Sequence, residues 1–106
     1  MTRLPSFRSA EQDEEGDGAA LRALSQGDEE ALLRLHRRYA PRLLALARRE
    51  GLSHPEQAVE DAFVLMFQSA HGFLRSELEA RLWIIGLAAW SFRRRKSPDP
   101  PPSTPT

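Results

Sequence analysis

Apolar residues return along most of this chain at steps of three and four, the period of an α-helix. Ala20, Leu21 and Leu24 share the face of a short first helix that begins at Asp17, and Gly27 is placed to close it in a left-handed conformation. Asp28 can cap a second helix, in which Leu32, Leu35, His36 and Tyr39 fall on one stripe. Pro41 either opens a new helix or kinks a continuous one, and Leu43, Leu44 and Ala47 carry the apolar face on to a stop at Gly51.

Ser53 followed by Glu56 has the spacing of a capping box, so a third helix is expected from there to about Ala70. Its buried side would hold Val59, Phe63, Met66 and Phe67, with Glu56, Glu60 and Asp61 projecting elsewhere, and Gly72 would break it. A second box, Ser76 with Glu79, would open a fourth helix carrying Leu78, Leu82, Ile85 and Ala89 at helical spacing and ending in Arg93, Arg94, Arg95 and Lys96. Apolar residues surround much of that helix between Leu82 and Trp90, as expected of an element packed on more than one side. No segment alternates with the period of a strand. The fold class is therefore all-α, a compact bundle of about four helices in residues 17–96. Residues 1–16 are polar and acidic, with Pro5 and Gly16, and read as a flexible arm; residues 97–106, SPDPPPSTPT, read as an extended, disordered tail.

A chain of 106 residues is sized for one domain with one modest core. The absence of cysteine removes disulfides, thiolate metal sites and cysteine nucleophiles, and suits a reducing cytoplasm. The first residues lack the apolar stretch of a signal peptide, and the longest apolar run, residues 82–90, is less than half of the roughly 20 residues that span a bilayer. A soluble, cytoplasmic protein without a membrane partner is the expectation. The net charge of zero is a sum of blocks: residues 1–18 carry −3, residues 19–51 +3, residues 52–80 −4 and residues 81–106 +4. Such segregation permits faces of opposite sign, one suited to phosphate and one to a basic protein surface.

Local patterns of catalysis are missing: there is no phosphate-binding glycine loop, no HExxH and no GxSxG. His36, His54 and His71 lack metal-ligand spacing, so neither a metal nor another cofactor is expected, and binding rather than catalysis is the expected mode of action. Arg34, Arg37, Arg38 and Arg42 lie within little more than two helical turns, and residues 93–96 form a second basic group at a helix end. Both could meet phosphates. A basic helix C-terminus also complements the helix dipole by about 0.3–1 kcal/mol per charge, so charge alone does not establish a ligand. Trp90 and Phe92, beside the arginines, are the candidates for stacking on unpaired bases, whereas Trp83 reads as core.

Taken in order, three segments resemble the second conserved region of extracytoplasmic-function sigma factors, the bacterial subunits that direct RNA polymerase to promoters. GDEEALLRLHRRYAPRLLALARREG is similar to the opening helices of that region, PEQAVEDAFVLMFQSAHGF to its acidic core-binding helix, and LWIIGLAAWSFRRRK to the helix that reads and melts the promoter −10 element. Glu56, Asp61, Phe63, Trp83, Leu87 and Ala88 match the family pattern. Gln57 stands where the family has aspartate, Glu60 where it has glutamine, Trp90 in place of a frequent asparagine and Arg94 in place of a common aspartate.

The resemblance implies a four-helix bundle whose Glu56, Gln57, Glu60 and Asp61 dock on the β′ clamp helices of core RNA polymerase. It implies that the last helix and a loop over residues 71–79 contact promoter DNA, with Arg75, Arg81, Trp90, Arg93, Arg94, Arg95 and Lys96 as the contacts. Family members continue into a second helical domain that reads the −35 element; here prolines follow Lys96, so the expectations extend to a fragment, a one-domain factor with a helper subunit, or a sigma mimic that binds an anti-sigma factor without directing transcription.

Overall fold

The computed structural model describes residues 5–96, with side chains from Glu15 onward. Four helices account for nearly all of it: α1 (Pro5–Leu24), α2 (Glu29–Arg49), α3 (Pro55–Ser76) and α4 (Ala80–Lys96). Each helix packs against the other three. Among the described residues there is no strand, and no helix is long and apolar enough to cross a membrane.

The first two helices stop in the same way. Gly27 (φ 90°) and Gly51 (φ 79°) adopt the left-handed conformation that a side chain would oppose. Around Gly27, the Gly27 amide donates to Leu24 O at 2.9 Å and the Asp28 amide to Ala23 O at 3.1 Å; around Gly51, the Gly51 amide donates to Arg48 O at 3.0 Å and the Leu52 amide to Ala47 O at 3.2 Å. These are paired Schellman closures, which satisfy carbonyls that a helix end would otherwise leave open. Asp28 then starts α2 by accepting from the Glu30 amide at 3.0 Å.

α2 runs unbroken through Pro41. Its stripe of Ala31, Leu35, Tyr39, Leu43 and Ala47 is buried on both sides of the proline, and burial on that scale offsets the one helical hydrogen bond that proline cannot make. The core is rich in alanine: Ala58, Ala62 and Ala70 on α3 and Ala80 and Ala88 on α4 are fully or almost fully buried, interleaved with Phe63, Met66, Ile84 and Phe92. Alternating small and large side chains lets the helices approach closely while filling the space between them. Near their connection Phe73 meets Trp83 edge-on, with ring centroids 5.8 Å apart, and at the far end Asp61 meets Arg95, so α3 and α4 run antiparallel.

Several sequence expectations are corrected. Helix α1 starts at Pro5, not Asp17, and includes residues 5–16 of the expected arm. Proline fits a first helical turn, and once residues 17–24 are fixed on the bundle, adding upstream Ala, Glu, Gln and Arg carries no new nucleation cost. The residues read as a tail, 97–106, lie outside the described part. The box at Ser53 does not form: His54 is the N-cap, without a side-chain hydrogen bond, because Pro55 sets the first turn and leaves Glu56 one position out of register.

Gly72 does not break α3, which continues to Ser76 because the extra turns carry Phe73 onto Trp83. Ser76 opens no helix either; its hydroxyl donates to Phe73 O at 2.8 Å and accepts from the Leu78 amide at 3.1 Å. On α4 the buried stripe is Ala80, Ile84, Ala88 and Phe92, whereas Leu82 is exposed and so is Leu78 in the connection. With apolar residues all round the helix, the sequence carried no phase, and the fit against α3 chose it. Phe67, expected inside, is at the surface.

Candidate docking and nucleic-acid surfaces

The first turns of α3 carry the four residues expected to bind polymerase. Glu56, Gln57 and Glu60 are exposed and Asp61 is half-buried. All four have partners within the chain. Glu56 lies 3.5 Å from Arg48, Gln57 donates to Asp61 at 3.0 Å, Glu60 lies 3.3 Å from the His36 ring, and Asp61 pairs with Arg95 at 2.5 Å. His36 in turn packs on Phe63, with ring centroids 4.7 Å apart.

Between α2 and α3 these side chains rim a shallow cleft of about 350 Å³, floored by Ala40, Pro41, Leu44 and Val59 and edged by His36, Glu56 and Glu60. An apolar floor with a carboxylate edge suits an apolar side chain flanked by cations. The cleft lies beside Pro41, where α2 lacks an amide donor, so the Arg37 carbonyl one turn earlier has no helical hydrogen bond at that step.

The residues expected on DNA do not form one surface. Arg93, Arg94, Arg95 and Lys96 are exposed together in the last turn of α4. Arg75 and Arg81 are exposed at the opposite end of the α3/α4 pair, roughly 20 Å away along α4 at 1.5 Å per residue. Trp90 is 46% exposed and belongs to the Arg93 group, with the Arg94 guanidinium 4.9 Å from its ring centroid. Phe92, the other expected stacking residue, is fully buried in the core and is not a contact.

The expected DNA-contacting loop is also shorter than anticipated. Residues 71–76 belong to α3, and the connection is Glu77, Leu78 and Glu79, with Glu77 left-handed at φ 63°. Two carboxylates there oppose phosphate. At the other end, Arg95 and Lys96 join Gly51, Leu52, Ser53 and His54 around a polar recess of about 450 Å³. Each of these cations has an acidic neighbour, Asp61 for Arg95 and Glu50, at 3.4 Å, for Lys96. The acidic and basic surfaces therefore adjoin.

A polar network that the sequence reading did not identify ties α1 to α2. Asp17 is buried; it accepts from the Tyr39 hydroxyl at 2.5 Å through Oδ2 and lies 2.9 Å from Arg38 Nε through Oδ1. Burial, and then the carboxylate of Asp17, raise the Tyr39 hydroxyl well above the ordinary tyrosine range. Arg38 and Arg42 both approach the Tyr39 ring, at 5.8 and 5.9 Å, so part of the arginine cluster on α2 serves the fold. The available signal was Asp17 itself, an acid in phase with Leu21 and Leu24 on a buried stripe.

No family model, curated protein or solved structure matches the chain.

Proposed function

We propose that this chain is a sigma-like transcription initiation module, which acts by binding: the acidic start of α3 docks on core RNA polymerase, and the basic end of α4 meets promoter −10 DNA. The observation that carries the reading is the apolar cleft between α2 and α3 with Glu56 and Glu60 on its edge, the chemistry that recognises a basic, amphipathic protein surface. It sits within the segments that resemble the sigma family. The exposed Trp90 beside four cations supports contact with an unpaired strand.

The test is binding of the purified chain to core RNA polymerase, compared with Glu56→Lys/Glu60→Lys. Both side chains are exposed, so the double variant should keep its helical circular dichroism and lose at least tenfold in affinity. Wild-type affinity in the variant, or no binding by the parent, removes the polymerase reading.

A second reading is a sigma-like interaction module that binds an anti-sigma factor or another regulator without directing transcription. The Asp61–Arg95 pair favours it, because it joins the two surfaces that would have to engage polymerase and DNA separately, as does the acidic connection at residues 77–79. A tight complex with an anti-sigma protein and none with polymerase selects it; promoter-directed transcription in a purified system excludes it.

A further inference from the structure

The outward face of α3 holds a stripe whose apolar residues are exposed among the described residues and whose first member, Glu60, also reaches His36. Glu60, Val64, Phe67, His71 and Leu74 recur at steps of four and three, which confines them to an arc of about 80° at 3.6 residues per turn. Val64 is 52%, Phe67 37% and Leu74 46% exposed. Steps of four and three are the seam of a helix pair, with Val64 and His71 as one set of seam positions and Phe67 and Leu74 as the other.

The charge along this face has a direction. Its N-terminal end carries Glu56 and Glu60, its C-terminal end carries Arg75 ahead of Glu77 and Glu79 in the connection, and Val64, Phe67 and Leu74 lie between them. A helix acidic at one end, basic at the other and apolar between is complementary to itself when a second copy lies antiparallel.

We infer that α3 is the contact surface of an antiparallel, two-fold dimer of this chain. With the axis at the height of residue 69 along α3, Val64 faces Leu74 of the second copy, Phe67 faces His71, and Gln68 lies near its own equivalent. Glu60 then falls within a helical turn of Arg75 of the second copy, and the two-fold repeats every contact. In a parallel pair the same register would place Glu60 against Glu60 and Arg75 against Arg75, which is repulsive at both ends. One helix face is small compared with the roughly 1,200–2,000 Å² of stable interfaces, so the dimer is a weak one, in the micromolar range or above. The inference does not depend on what else the chain binds.

Sedimentation equilibrium across a concentration series of the purified chain tests it. The parent is expected to show a reversible monomer–dimer equilibrium, and Phe67→Glu to shift it at least tenfold toward monomer with unchanged helical circular dichroism. Glu60→Arg and Arg75→Glu should each weaken association, and Glu60→Arg/Arg75→Glu in one chain should restore it, because the swapped ends again meet opposite charge. The rescue separates an antiparallel contact from loss of fold. A parent that stays monomeric to millimolar concentration overturns the inference, as does a dimer indifferent to Phe67→Glu, or a double variant weaker than both single ones.

Discussion

Among the described residues, Tyr39 and Asp17 form a buried polar contact whose strength can be read against pH. Tyrosine in an unfolded chain ionises near pH 10, whereas burial and Asp17 hold Tyr39 neutral in the fold to higher pH. The contribution is complete below about pH 10 and is lost as pH rises beyond that, since the unfolded state gives up its proton first. Tyr39→Phe should therefore cost about 1–3 kcal/mol in urea unfolding at neutral pH, by leaving the buried Asp17 with one partner fewer, and should flatten the alkaline decline. An unchanged alkaline limb would show that another group controls it. Two aromatics near the end of α4 separate in the same way. Phe92→Ala should cost about 3–5 kcal/mol, whereas Trp90→Ala, at an exposed ring with one guanidinium over it, should cost less than about 1 kcal/mol. Only the second variant can therefore report on binding to an unpaired strand.

At the scale of elements, the three connections show which local signals hold against packing. The glycines at 27 and 51 were legible as stops, because a left-handed residue with a Schellman closure is a local arrangement that glycine favours wherever the helix lies. The boxes at Ser53 and Ser76 were not reliable. Pro55 imposed its own start on α3, and the gain from bringing Phe73 to Trp83 outweighed the cost of Gly72 inside the helix. The third connection lacks a glycine where one belongs. Glu77→Gly should relieve the left-handed backbone at φ 63° and raise stability by about 1 kcal/mol, measured as a higher urea midpoint at constant slope. A lower midpoint would mean that the Glu77 side chain holds the connection in place.

For the molecule as a whole, the antiparallel packing of α3 on α4 brings the acidic first turns of α3 against the basic end of α4. Segregated charge in the sequence pointed toward two separate faces; the fold joins them through Asp61–Arg95 and Glu50–Lys96. Asp61→Asn should change stability by less than about 1 kcal/mol, because both partners of the pair are partly open to solvent. If residues 93–96 contact phosphate, the same variant should bind single-stranded DNA several-fold more tightly, with an affinity that falls steeply as salt is raised. Filter binding at two salt concentrations measures this, and unchanged affinity would remove Arg95 from the phosphate contacts.

The sequence by itself determined that the chain is helical, that it has four helices, where two of them stop, and that Leu35, Tyr39, Leu43 and Ala47 on α2 and Val59 and Phe63 on α3 are buried. These follow from a period of three to four residues and from turn chemistry, which act over a few positions at a time. Tertiary structure decided the phase of α4, the burial of Phe92, the exposure of Phe67, the partners of Asp17, and the joining of Asp61 to Arg95. Each of these depends on which surface a second helix presents. In a helix such as α4, apolar on every side, local periodicity carries no information about that choice.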